Sequence, residues 1–180
     1  SINLEKFWLL NSGIANIAMS LGKKLKPTIS NDKFFSLGLF HDCGIPVMSM
    51  KYKDYQESLD QATSNPEQTL TIIEEDKYKV HHAVIGYFVA SSWRIPRDVC
   101  QIILQHHDRD FLNIIDESQA QDLFAILKLS EHIAALIHTD FESDDWPFIK
   151  EQVMTVLNLD DNDITGLITE ENNTLYAKIS

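Results

Sequence analysis

Imidazole is a frequent metal ligand and the side chain that most readily changes charge near neutral pH. This chain sets its histidines beside one another or beside carboxylates. His41 precedes Asp42, His81 precedes His82, His106 precedes His107, and Glu131 precedes His132. Neutral imidazole with carboxylate is a mixed nitrogen and oxygen donor set, suited to a divalent Fe, Mn, Ni or Zn ion rather than to thiolate-seeking metals. Adjacent residues on a helix point about 100° apart, because a turn takes about 3.6 residues. A His-Asp or His-His pair can therefore grip one ion from two edges or serve two neighbouring ions. A carboxylate such as Asp42 can bridge two ions about 3.5–4 Å apart, a common hydrolytic arrangement.

Each pair taken alone has a plainer meaning. His41-Asp42 can be a helix end, and His106-His107 can be cations that suit a helix C-terminus. His132 and His138 on an apolar face are expected to be hydrogen-bonded core residues. Three pairs in a chain with only 15 Lys and Arg residues weigh against three separate coincidences.

The elements that must position these groups are helical. Phe7, Leu10, Ile14, Ile17, Ala18, Leu21 and Leu25 form a stripe that predicts a helix over 4–25. Lys23, Lys24 and Lys26 lie at its end as a solvated basic cluster, and Pro27 stops it. Ser30-Asn31-Asp32 can cap a second helix from Lys33 to about Cys43, broken by Gly44 and Pro46. Further helices are predicted over 47–59, from Asn65-Pro66-Glu67 to Asp76, over 78–93, and from Ile95-Pro96 to the double histidine. A polar connection over 108–118 leads to a long helix over 119–138. Helices over 146–157 and from 160 to about 168 follow, with Leu175–Ile179 as a short extended tail. No strand alternation, repeat or linker is evident, so an all-α single domain over 1–180 is expected.

The 180 residues suffice for one domain with a substantial core, at 44% hydrophobic and 23% charged. A net charge of −12 argues against a nucleic-acid binder, which needs a basic face. Cys43 and Cys100 lack CxxC spacing and read as buried thiols in a reducing, cytoplasmic setting. The apolar segment 7–21 has no basic region before it and falls short of the ~20 residues that span a bilayer, so no membrane segment is expected.

The ordered motifs carry a resemblance. Gly38-Leu39-Phe40-His41-Asp42-Cys43-Gly44 is similar to the GLLHDxG signature of the HD superfamily. His82-Ala83-Val84-Ile85-Gly86, then Trp93-Arg94-Ile95-Pro96, then Ile102 through His106-His107 resembles the HDOD pattern. That pattern is HAxxG, a Trp-x-Ile/Leu-Pro step, and a helix ending in a double histidine. Phe7-Trp8 with Ala15, Ala18 and Leu21 is similar to the helix that begins the HD-like half of such domains. The resemblance runs from about 5 to 140 and implies an HD-like helical bundle. Complete HDOD domains place further helices before the Phe-Trp helix, so it also implies that this N-terminal half is absent here.

Position by position, the resemblance implies a metal-ligand set of His41, Asp42, His82, His106, His107 and Glu131. Glu131 stands where the family usually has Asp, and the first-helix histidine falls on Leu10, or on its polar neighbour Asn11 if the register shifts by one. The mononuclear set thus lacks a ligand, while Asp42, His82, His106 and His107 complete the second site of binuclear members. The HD-GYP cyclic-dinucleotide phosphodiesterases carry HDxGK and a GYP motif. Here Ile45 and Asp108-Arg109-Asp110-Phe111 stand in those places, so that subclass is not implied. The resemblance implies a bacterial signal-transduction output domain that binds a signalling protein or a small ligand without turnover. The alternative is a metal-dependent phosphohydrolase with an altered site, in which Asp42 and Glu131 are the candidate catalytic carboxylates.

Overall fold

The computed structural model describes residues 2–65 and 68–179, with the backbone alone at 176, 178 and 179. Helix α1 (Leu4–Leu25) begins where the Asn3 side chain accepts the Lys6 N–H at 2.9 Å. It buries a stripe of Asn11, Ile14, Ala15, Ile17, Ala18, Leu21 and Gly22. Helix α2 (Asn31–Phe40) returns alongside it, pairing Gly22 with Phe34 and Ala15 with Gly38. The two backbones touch there: a Cβ on Gly38 would lie 2.6 Å from the Ala15 Cα.

The chain continues through α3 (Gly44–Lys51), α4 (Tyr55–Ser64), α5 (Leu70–Tyr78), α6 (His82–Ser92), α7 (Arg97–Gln105), α8 (Phe111–Ile114), α9 (Ser118–Thr139), α10 (Trp146–Leu157) and α11 (Asp161–Ile179). Helix α9 is the axis of the bundle, with α1, α2, α7 and α10 against it. Its residues 123–130 are all buried. A helix covered on every side should be apolar, and within 123–129 the one charged side chain is Lys128. Phe111 stacks on Phe124 with centroids 4.5 Å apart, and Phe34, Leu37, Ile102, Ile103 and Trp146 fill the space around them.

Gly44 decides how near α3 comes to α6. A Cβ there would sit 1.9 Å from the His82 carbonyl oxygen, so only glycine lets the two helix starts meet. That contact brings the His41-Asp42 turn to His82.

All-α architecture is as expected, with no strand among the described residues. Several boundaries are corrected. The single helix expected over 47–59 is two, α3 and α4, because Tyr52 adopts extended backbone and Asp54 starts a new turn. The helix expected from Asn65-Pro66-Glu67 begins at Leu70 instead, and Pro66 and Glu67 lie outside the described residues. The one expected over 78–93 begins at His82, because the left-handed Lys79 ends α5. The polar connection over 108–118 holds α8, and the extended tail at 175–179 is the end of α11.

His138 is exposed near the end of α9 rather than in the core. His132 is buried as expected, stacked on Trp146 at 4.1 Å, yet its Nδ1 has no hydrogen-bond partner among the described atoms. The basic cluster is partly engaged, with Lys24 on Glu170 and Lys26 on Asp122. No helix among the described residues is long and apolar enough to cross a membrane.

Two outcomes follow. Gly44→Ala should cost about 2 kcal/mol or more, since the clash is with backbone that cannot rotate away. Gly166→Ala, which meets nothing within 4 Å on α11, should stabilise by up to about 1 kcal/mol. Urea unfolding of both variants checks the contrast. Burial pushes the Cys43 thiol up to about 12. Iodoacetamide at pH 8 should therefore leave Cys43 unmodified until the protein is unfolded, as read by peptide mass mapping.

Candidate metal centre

The candidate ligands stand mostly at helix ends, where several helices converge. His41 closes α2, and Asp42 follows in the turn before α3. His82 is the first residue of α6, His106 closes α7, and His107 lies in the turn beyond it. Glu131 alone comes from mid-helix, on α9. Asp42, His82, His106 and His107 each offer a ligand atom within 4.8 Å of the others. The Asp42 Oδ1 lies 3.2 Å from His106 Nε2 and 3.4 Å from His82 Nε2, and its Oδ2 lies 3.3 Å from His41 Nε2. His82 Nε2 and His107 Nε2 are 3.0 Å apart.

Every ring of this group is anchored through Nδ1. That atom lies 2.9 Å from the Gly38 carbonyl in His41 and 2.7 Å from the Ile103 carbonyl in His106. In His82 it lies 2.7 Å from Glu74, and in His107 3.1 Å from Asp145. These partners only accept, so each Nδ1 carries the proton, and each Nε2 is turned toward the centre. Carboxylate-His pairing of this kind fixes tautomer and ring angle in metal sites. Glu74 is itself fully buried and held by the Tyr55 hydroxyl and the His82 backbone N–H.

Two facing Nε2 atoms need a proton or a cation between them. Burial disfavours charge on His82, but Asp42 and Glu74 outweigh it and raise this ring to about 9. Burial instead holds His107 well below its ordinary value, and lowers His106. A proton between the two rings is therefore favoured on His82 over His107. His41 is raised by Asp42 and Glu131 against its burial, and Asp42 is held well below the usual carboxylate range against its own burial, chiefly by His41.

A second layer lies behind the rings. The Lys128 ammonium is 2.9 Å from Glu131 and 3.0 Å from Asp145, with its side chain only 3% exposed. Asp145 also accepts from the Arg109 guanidinium at 3.0 Å, and that guanidinium lies over the Phe148 ring. The carboxylates Asp42, Glu74, Glu131 and Asp145 face two permanent cations, Lys128 and Arg109. The two uncompensated charges match the protons of His41 and His82, or one divalent ion. The residues present thus fit a divalent metal in donor type, orientation and charge.

The six residues of the expected set form one cluster but do not play one part. Asp42, His82, His106 and His107 converge as a group that could hold a metal ion, while His41 and Glu131 lie to one side, 3.6 Å apart. The first-helix position is corrected: Leu10 is 44% exposed, while Asn11 is 2% exposed. The antiparallel pairing of Ala15 with Gly38 carries Asn11, one turn earlier, level with the His41-Asp42 turn. Its Oδ1 is buried with no hydrogen-bond partner among the described atoms.

Glu74, Lys128 and Asp145 were not legible as site residues. Lys128 carried a signal, a lone charge in an apolar helical run. Asp145 carried only a helix-start position, and its carboxylate spends its bonds on His107, Lys128 and Arg109 rather than on capping.

Among solved structures, the chain is similar to a protein from Shewanella amazonensis SB2B named "Putative phosphohydrolase", at 17% identity and a TM-score of 0.71 over 96% of this chain. It is similar also to an HDOD domain protein of unknown function from Geobacter sulfurreducens, at 19% identity and a TM-score of 0.68 over 98% of this chain. In each case it spans 61% of the other chain's length. At these identities the likeness is one of fold. No curated protein sequence matches. The family model of the HDOD domain matches residues 1–109, which take in the His-Asp pair, the HAxxG step and the double histidine, but end before Glu131. This chain belongs to the HDOD domain family.

Proposed function

We propose that this chain is a regulatory HDOD domain of bacterial signalling that acts by binding a partner protein or small ligand, with one divalent Fe, Mn, Ni or Zn ion in its cleft. The observation that carries the metal is the anchoring of His82, His106 and His107 through Nδ1, which turns three Nε2 atoms and the Asp42 carboxylate onto one point. Such an ion supplies a fixed positive charge, which holds three helix ends together and can polarise a bound ligand.

Several features support binding over turnover. An amide, Asn11, occupies the level where the first-helix imidazole is expected. Ile45 replaces the lysine that contacts phosphate in the HD-GYP enzymes. The open depression beside His107 has Glu75 and Asp108 in its wall and no lysine or arginine. Carboxylates there repel a phosphoester, and a net charge of −12 disfavours nucleic acid. The chain's own residues then bind and orient: Glu74 and Asp145 hold rings, and Asp42 supplies the carboxylate donor.

The phosphohydrolase reading has one feature in its favour. Asp42 and His107 are 25% and 31% exposed, so solvent and ligand can reach them.

Protein purified without chelator or affinity tag should hold near-stoichiometric metal by plasma mass spectrometry, and Asp42→Ala should lose it. Phosphoester turnover with added Mn or Ni that Asp42→Ala abolishes would move the assignment to the hydrolase. Failure to retain any metal, even from excess, would overturn the metal-centred reading. Glu74→Gln should weaken metal affinity about 10–100-fold, because His82 loses its orienting carboxylate. The His82 proton must leave for ligation, so it opposes metal below its value of about 9. Apparent affinity, followed by titration calorimetry, should therefore rise up to about tenfold per pH unit from 7 toward 9 and then level.

A further inference from the structure

A buried ammonium is costly, and it persists in folds where carboxylates require a cation. Lys128 meets that description beside the proposed ion. Its Nζ lies 2.9 Å from Glu131 and 3.0 Å from Asp145, and 3% exposure leaves it no bulk water. The Glu131 Oε2 has an ion-pair distance to Lys128 but no aligned hydrogen bond, while Oε1 is 3.6 Å from His41 Nε2. Its oxygens are therefore presented to a charge rather than consumed by donors. The Asp42 Oδ2 lies 3.3 Å from the same His41 Nε2. Take away the ammonium, and the Glu131 and Asp145 carboxylates are left facing a vacated positive charge, with His41 Nε2 3.6 Å from the other Glu131 oxygen.

We infer that Lys128 is a built-in cation that fills this half of the cleft and limits the domain to one metal ion. The inference rests on the preceding reading only for where that one ion sits. Asp145 couples the two halves, since its Oδ2 serves both Lys128 and the Nδ1 of His107. The lysine thereby neutralises the second carboxylate cluster without the open coordination positions that a second metal would bring. A two-ion displacement at a phosphoester, with one ion on the attacking oxygen and one on the leaving oxygen, is closed to such a cleft.

The test uses Mn2+ alone as probe, with stoichiometry by equilibrium dialysis and ion proximity by electron paramagnetic resonance. Circular dichroism reports folding. Lys128→Ala and the volume-preserving Lys128→Met should each bind one more equivalent than wild type. That increment should disappear in the double variant with Glu131→Gln, while Lys128→Arg, which keeps the charge, should show none. Where wild type holds one ion, the single variants should also show spin coupling between neighbouring ions.

A folded Lys128→Ala or Lys128→Met with no added equivalent overturns the inference, as does an added equivalent indifferent to Glu131→Gln. Should both variants unfold, the wild-type ceiling decides: uptake of a second Mn2+ within the cleft, lost in Glu131→Gln, overturns it, and saturation at one upholds it. A wild type that binds none instead overturns the His82, His106 and His107 site of the preceding section. The increment on removing Lys128 still reports on the lysine.

Discussion

The Nδ1 proton of each central histidine is given to an acceptor behind the ring, and the remainder of the centre depends on that commitment. A backbone carbonyl serves His41 and His106, and a carboxylate serves His82 and His107. A ring so held presents Nε2 in one direction only. The carboxylates reach further back: Glu74 is gripped by Tyr55, and Asp145 by Lys128 and Arg109. The centre is thus an inner face of a network that ties α4, α5, α6, α7, α9 and α10 together.

Charge within this network is arranged in two unlike halves. On one side, three imidazoles and Asp42 face each other, with positive charge favoured on His82. On the other, Glu131 stands against the Lys128 ammonium, with His41 beyond its second oxygen. The low-dielectric interior makes each uncompensated charge expensive. Lys128 and Arg109 offset two of the four carboxylates, and the imidazoles stand where the remaining charge must be balanced.

Close backbone approach is the mechanical counterpart of this chemistry. Gly38 lets α2 lie on α1, and Gly44 lets α3 meet the start of α6. Without the second contact, Asp42 would stand away from His82, and the pairs would be separate helix ends. Family membership, shown over residues 1–109, covers these glycines and the paired histidines, while α9 and α10 supply Lys128, Glu131 and Asp145 from beyond it.

The sequence by itself determined the helical class and the bounds of α1 and α10, and it singled out Asp42, His82, His106 and His107, which the fold brings together. Hydrophobic period and paired chemistry are local properties that a linear reading can detect. It misplaced the ends of α5 and α6, because a left-handed Lys79 is a backbone state that no composition announces. It set the first-helix position at Leu10, since a one-residue register choice turns on which face packs inward. Asn11 faces inward only because α2 lies against that side. Tertiary structure alone brought Glu74 behind His82 across the α5–α6 turn, and Asp145 behind His107 from 38 residues further along the chain, pairs with no shared motif. It alone, too, gave Lys128 its meaning: in sequence a charge out of place, in the fold the buried cation between Glu131 and Asp145.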